Sequence, residues 1–156
     1  MNAAREVVAA SALACAQLTV EVAGRVLVRD LQLAVASGAV TAILGRNGAG
    51  KTMTLHTLAG LRAPARGIVT LNGQSLASWP RRSLARKLGL LTQTTEDPFP
   101  STVLDSVLVG RHPHIDFWRW ESDADRELAR AALAAVTLED LAERDVDTLS
   151  GGERRR

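Results

Sequence analysis

The sequence has no tyrosine, few aromatic residues of any kind (3%) and one cysteine among its 156 residues. Each scarcity excludes something. Cys15 alone cannot close an internal disulfide, so packing must hold the fold, and this cysteine usage fits a reducing compartment. No stretch approaches the roughly 20 apolar residues that a membrane-spanning helix needs. An excess of one charge is also missing: 19 basic and 17 acidic residues leave a formal net charge of +2, too little to imply a nucleic-acid partner. Lysine is rare, at Lys51 and Lys87, and arginine supplies the rest. The closing run Arg154-Arg155-Arg156 reads as a solvated helix face, since it lacks the interleaved aromatics that stack on bases.

What remains is ordinary for a soluble globular domain: 46% apolar residues, 23% charged, and the length of one domain. At the N-terminus, Arg5 and the apolar stretch Val7–Cys15 are loosely similar to a secretory signal or a lipoprotein cleavage site. One basic residue, and Ala12 where a larger aliphatic is usual, favour a ragged tail leading into a strand. Strands are expected at about Leu13–Val22 and Val26–Val35, separated by Ala23-Gly24-Arg25. The unbroken apolar run Ala39–Leu44 predicts a strand buried on both faces. Helical spacing follows over Lys51–Leu61, then a turn at Ala63–Gly67, a strand at Ile68–Leu71 and a tight turn at Asn72-Gly73. A short helix is expected at Pro80–Lys87 and a short strand at Leu88–Leu91. After Gln93 the character changes. Thr94–Ser101 reads as a loop, Thr102–Gly110 as a helix, His112–Trp120 as irregular and aromatic-rich. Ser122–Val136 is the clearest helix, capped by Ser122 with Asp123 and Asp125 in its first turn and Leu128, Ala131, Ala132 and Ala135 along one face. Leu138–Arg144 adds a further helical turn. The order of elements predicts an α/β core whose sheet is interrupted after Gln93 by a helical insert.

Gly45-Arg46-Asn47-Gly48-Ala49-Gly50-Lys51-Thr52 fits G-x-x-x-x-G-K-[ST] in full, between an expected strand and an expected helix. Glycines let the backbone curl so tightly that successive N–H groups point inward at phosphates. The helix start adds its positive dipole end. Lys51 supplies a full charge toward the β- and γ-phosphates, and Thr52 a hydroxyl ligand for Mg²⁺, a hard ion that prefers oxygen. The bland alternative is a glycine-rich turn that merely joins a strand to a helix. The full eight-residue match in that context favours nucleoside triphosphate binding. A second stretch, Leu149-Ser150-Gly151-Gly152-Glu153, places two glycines after a serine at an expected helix start, where amides and a hydroxyl are exposed to an anion. Alone it would be an ordinary capped helix.

Taken in order, Leu44–Thr52, Gln93 and Leu149–Glu153 resemble the motifs of the ABC ATPase family, over nearly the whole chain from about Leu18. The resemblance implies a P-loop α/β fold of ABC type, with an antiparallel β region, a parallel core sheet and a helical subdomain. It implies one partial ABC domain: a nucleotide-binding core over about 13–93, the helical subdomain over about 94–149, and the start of the signature helix at 150–156. It implies ATP and Mg²⁺ as ligands. Gly45, Arg46, Asn47, Gly48, Ala49, Gly50, Lys51, Thr52 and Met53 would hold the nucleotide. Lys51 and Gln93 would serve catalysis, and Thr52 and Gln93 would hold the metal. Ser150, Gly151 and Gly152 would complete the site in trans, across a head-to-tail homodimer. Gln93 would also link the site to a membrane permease, on which the helical subdomain docks. Gly110-Arg111-His112-Pro113-His114 and Asp147–Arg154 are most similar to importers of ferric siderophores, vitamin B12 and haem. That implies a peripheral protein on the inner face of the cell membrane, indirectly served by a substrate-binding protein. His112 and His114, two residues apart with no third ligand evident, make a poor metal site, and a loop at the subunit interface is the preferred reading.

Three departures from the family stand out. No aromatic lies near Val22-Ala23-Gly24 to stack on adenine, and the position after Thr52 is Met53 rather than a second threonine. The sequence also stops at Arg156, before the family's metal-holding aspartate, water-activating glutamate and switch histidine. The chain as given is therefore expected to bind nucleotide better than it cleaves it, and to be part of a longer protein. The alternatives are a nucleotide-binding module that does not hydrolyse, and a non-transport relative of the same family.

Overall fold

The computed structural model describes residues 11–93 and 100–156. The N-terminal tail through Ala10 and most of the expected loop after Gln93 (94–99) lie outside the described residues, so the signal-like reading of Arg5–Cys15 is covered in its last residues alone. The chain divides into two compact units, Met1–Leu90 and Leu91–Arg156.

The first unit is built on two alternating segments that fold back on each other. β1 (Leu13–Val22) and β2 (Arg25–Val35) pair antiparallel from Leu13↔Val35 to Val22↔Arg25. Ala23 and Gly24 both have positive φ, the requirement of a two-residue hairpin turn whose twist matches its strands. β1 pairs on its other edge with β3 (Arg66–Leu71), which turns through Asn72-Gly73 into the two-residue β4 (Gln74–Ser75). The sheet order is β2-β1-β3-β4, antiparallel throughout. Register shifts on both sides of Ala16–Thr19 mark a bulge in β1 at Gln17, itself at positive φ. Gly67 sits against that bulge, and a Cβ there would overlap the carbonyl oxygens of Gln17 and Ala16. Cys15, Leu18, Val20 and Val69 bury one face of this sheet against Leu58 of α1 (Lys51–Leu58), with Ile43, Met53 and Leu76 at the margin.

Three expectations up to the boundary at Leu91 need correction. Ala39–Leu44 takes no strand: Val40 is 99% exposed and Leu44 90%, and Ile43 alone of the larger side chains in the run packs on the core. Leu88–Leu91 is likewise irregular, with Leu91 92% exposed. An apolar run becomes a buried strand when strands flank it, and among the described residues none pairs with either run, so the parallel part of the expected sheet is not formed there. The helix after the glycine-rich loop is also shorter than expected, since α1 closes at Leu58 and Leu61 donates back to His56 O at 2.9 Å in a chain reversal. The helix expected at Pro80–Lys87 appears as α2 (Arg81–Ala85), with Pro80 as its N-cap.

The second unit is helical. α3 (Val103–Val109) and α4 (Asp123–Ala135) each begin with a reciprocal cap, Thr102 with Asp105 and Ser122 with Asp125. They pack through Val103, Leu104 and Leu108 on one side and Ala129 and Leu133 on the other, closed by Leu138, Ala142 and Val146. The buried stripe of α4 is thus Ala129–Leu133, not the expected face of Leu128, Ala131, Ala132 and Ala135, whose members are exposed. Leucine at 133 fills the core, and alanines elsewhere are small enough to be tolerated in water. Leu138–Arg144 contributes one tight helical turn at Glu139–Leu141.

Candidate functional site

The loop before α1 carries no regular hydrogen-bonded structure of its own, and its shape comes from three constraints. Ala49 N donates to Arg46 O at 3.2 Å, which tightens the turn. Gly48 and Gly50 take φ of +80 and +88, which glycine adopts without strain. Gly50 is the N-cap of α1, and a Cβ on it would lie 2.8 Å from Leu27 Cβ of β2, so the junction of loop and helix is seated against the strand. Lys51 then folds back across the loop: its Nζ donates to Gly45 O at 2.8 Å and Arg46 O at 2.9 Å.

This leaves a cluster of donors without acceptors of their own. The amides of Lys51, Thr52 and Met53 open α1 and have no carbonyl one turn earlier. No side chain caps them, and the first turn contains no acidic residue. Thr54 Oγ1 and Thr57 Oγ1 donate instead to carbonyls inside the helix, Gly50 O and Met53 O. An uncapped helix start, an ammonium held beside it and an exposed loop of small residues suit a polyphosphate in both charge and donor count. The Lys51 ammonium has three protons and two are engaged, so the third is free to point at a ligand. Thr52 is exposed and offers one hydroxyl oxygen, enough for a single ligand to a hard cation. Among the described residues no group of three or more His, Cys, Asp or Glu is placed to hold a metal by itself.

Gly45 through Gly50 form this loop, and Lys51, Thr52 and Met53 follow it in the first turn of α1. The other expected site residues belong to the second unit. Gln93 is exposed in a bend next to the undescribed stretch. Ser150, Gly151 and Gly152 are exposed, and the signature stretch forms turns rather than a continuous helix. Ser150 N donates to Glu153 Oε2 at 2.7 Å and Glu153 N to Ser150 Oγ at 3.3 Å, a reciprocal cap followed by one helical bond from Arg154 N to Ser150 O at 2.9 Å. Hydrogen bonds from the Ser150 side chain and backbone hold the Glu153 carboxyl below the usual range. Leu27 is the residue that sequence reasoning missed. It carries no local signal, because its contact with Gly50 joins segments far apart in the chain.

Comparison with known proteins gives the family. The model of a family described as "ABC transporter" matches residues 28–156. The chain is 43% identical over 144 residues to a haemin import ATP-binding protein of Gloeobacter violaceus, covering 92% of this chain and 52% of that protein. It is 37% identical to a probable siderophore transport system ATP-binding protein of Bacillus subtilis (94% and 53% covered) and 39% identical to the ferric enterobactin transport ATP-binding protein of Escherichia coli (90% and 52%). The chain thus spans about half the length of these curated relatives. Among solved structures, a metal-chelate type ABC transporter in an inward-facing conformation superposes with a TM-score of 0.76 at 29% identity, over 94% of this chain and 52% of that one. A nucleotide-free ATP-binding cassette of an ABC transporter gives 0.76 at 23% identity over 92% and 60%, a likeness of fold alone. With the family model covering most of the chain, and the fold an α/β ABC-type P-loop fold, the chain belongs to the ABC transporter family.

Proposed function

We propose that this chain is the ATP-binding part of a protein that powers import of a metal chelate (a ferric siderophore, cobalamin or haem) through a membrane permease. The observation that carries the reading is Lys51, whose ammonium is held over the carbonyls of Gly45 and Arg46 beside the uncapped start of α1. In this reading residues 13–93 are the nucleotide-binding core, 94–149 the helical subdomain and 150–156 the opening of the signature helix. The amides of the loop and of Lys51, Thr52 and Met53 donate to phosphate oxygens. Lys51 adds its charge, and Thr52 and Gln93 hold Mg²⁺, with Gln93 also serving catalysis. Cleavage of bound MgATP supplies the energy of transport. Ser150, Gly151 and Gly152 present amides and a hydroxyl to the nucleotide of a second copy in a head-to-tail homodimer, so that ligand binding biases an open–closed equilibrium. The import class is supported by the names of the haemin, siderophore and enterobactin relatives. No described helix is long and apolar enough to cross a membrane. In this reading the protein lies at the inner membrane face, held by its permease and fed through a substrate-binding protein, as the resemblance implies.

The test is calorimetric titration with MgATP. Wild-type chain is expected to bind, and Lys51→Ala to weaken binding by about ten- to a hundredfold, the effect of removing a charge-assisted bond. Equal affinities would refute the assignment of this loop.

A further inference from the structure

Within the first unit, the end of α1, the start of β3 and the chain from Ser75 to Leu84 line a cavity of about 340 Å³. Small-molecule sites run from roughly 300 to 1,000 Å³, so this one has the volume for a small ligand. Its walls are mainly apolar, with Pro64, Ile68, Val69, Leu76 and Leu84 among them. Gly60 lets two of these close in over the end of α1. It has φ +74, and a Cβ there would stand 3.1 Å from Leu84 Cδ2 and 3.4 Å from Leu76 Cδ1.

The polar groups of the lining are nearly all donors. Trp79 lines the cavity, and its Nε1 is buried with no hydrogen-bond partner among the described residues. An indole N–H can only donate, and buried donors in folded proteins are nearly always paired. Arg62 and Arg81 are exposed members of the same lining. Each commits one N–H to a main-chain carbonyl, Arg62 to Glu21 O at 3.0 Å and Arg81 to Gly60 O at 2.8 Å. A guanidinium has five N–H groups and accepts nothing, so most of both forks is left for a ligand. Of the two lining hydroxyls, Thr57 donates its own to Met53 O at 2.8 Å, and Ser75 is the other. The lining includes no aspartate or glutamate to balance the two positive charges.

We propose that this cavity binds a small organic carboxylate, with its apolar body against Ile68, Val69 and Leu76 and its oxygens taken by Trp79, Arg62 and Arg81. A neutral hydrocarbon would suit the walls but leave the indole N–H unpaired. A bare inorganic anion would suit the donors but leave the walls facing water. A carboxylate on an apolar body meets both, and its two oxygens match the fork of a guanidinium. None of Gly45–Met53 lines the cavity, so the proposal stands independently of the nucleotide reading.

Benzoate is the probe, titrated into the isotope-labelled full chain and followed by nuclear magnetic resonance. Three tryptophans give three indole N–H signals, and the one lost in Trp79→Phe belongs to Trp79. The expected result is a saturable downfield shift of that signal at benzoate up to ~10 mM, with the other two unmoved. Benzamide, of the same shape without the charge, should bind at least about tenfold weaker. Trp79→Phe keeps an apolar ring and removes the donor, so binding read from the main-chain amides around Ile68 should weaken about fivefold. The double variant Arg62→Ala, Arg81→Ala should weaken it about tenfold or more. The comparison of benzoate with benzamide needs no variant, so a variant that fails to fold leaves the proposal open to refutation. No shift of the Trp79 signal at the highest benzoate concentration, equal binding of benzamide, or undiminished binding by a folded double variant overturns the proposal. An equal shift with inorganic phosphate would mean an adventitious ion only, which overturns it as well.

Discussion

At the scale of single residues, two glycines do different work. Gly50 lets the glycine-rich loop enter α1 at a left-handed φ while leaving room for Leu27, so it shapes the candidate site. Gly67, at φ +84, sits where the β1 bulge brings the Gln17 and Ala16 carbonyls against its Cα, so it shapes the sheet. Gly67→Ala should therefore lower stability by about 2 kcal/mol or more, from left-handed strain and from the overlap with those carbonyls. Urea unfolding followed by circular dichroism measures it, and a loss below about 0.5 kcal/mol would mean that the bulge relaxes freely. Nothing in the sequence near Gly67 announces this role, since the close neighbour comes from a strand some fifty positions earlier. The Gly45–Thr52 pattern, by contrast, was legible at once, because its chemistry is local: every group that shapes the loop apart from Leu27 lies within it.

At the scale of elements, hairpins and caps were the most readable features. β1 was placed to the residue, Asn72-Gly73 turned as expected, and Ser122 caps α4 as its position implied. What failed was the prediction of faces and partners. Apolar character in Ala39–Leu44 and on α4 could not say which neighbour each side chain would meet, and that depends on the rest of the fold. The cap of α4 carries a pH signature. Hydrogen bonds from the Ser122 side chain and backbone, then the Arg111 guanidinium, hold the Asp125 carboxyl down at about 2, from an ordinary 3.8. A carboxyl depressed on folding adds stability above its unfolded value and loses it as pH falls toward the folded one. The contribution is thus present above about pH 4 and fades between about 4 and 2. Asp125→Asn should flatten that part of the acid-unfolding curve and lower stability at neutral pH. A variant whose helical signal declines across pH 4–2 as steeply as wild type would contradict this account.

At the scale of the whole molecule, the chain is two units with separate cores, one of sheet and α1, the other of packed helices. The division falls close to Gln93, where the sequence changes character. The fold class was legible because the Gly45–Thr52 pattern and the Leu149–Glu153 stretch stand in the order that the family's motifs take. The run at Ala39–Leu44 did not become a strand: among the described residues no strand pairs with it. The proposed nucleotide binding depends on one physical arrangement: main-chain amides gathered around Lys51 to grip a triphosphate. Amide hydrogen exchange with and without MgATP tests it most directly. The arrangement predicts slowed exchange concentrated in residues 46–53; exchange unchanged there at saturating MgATP, or slowed elsewhere alone, would contradict it.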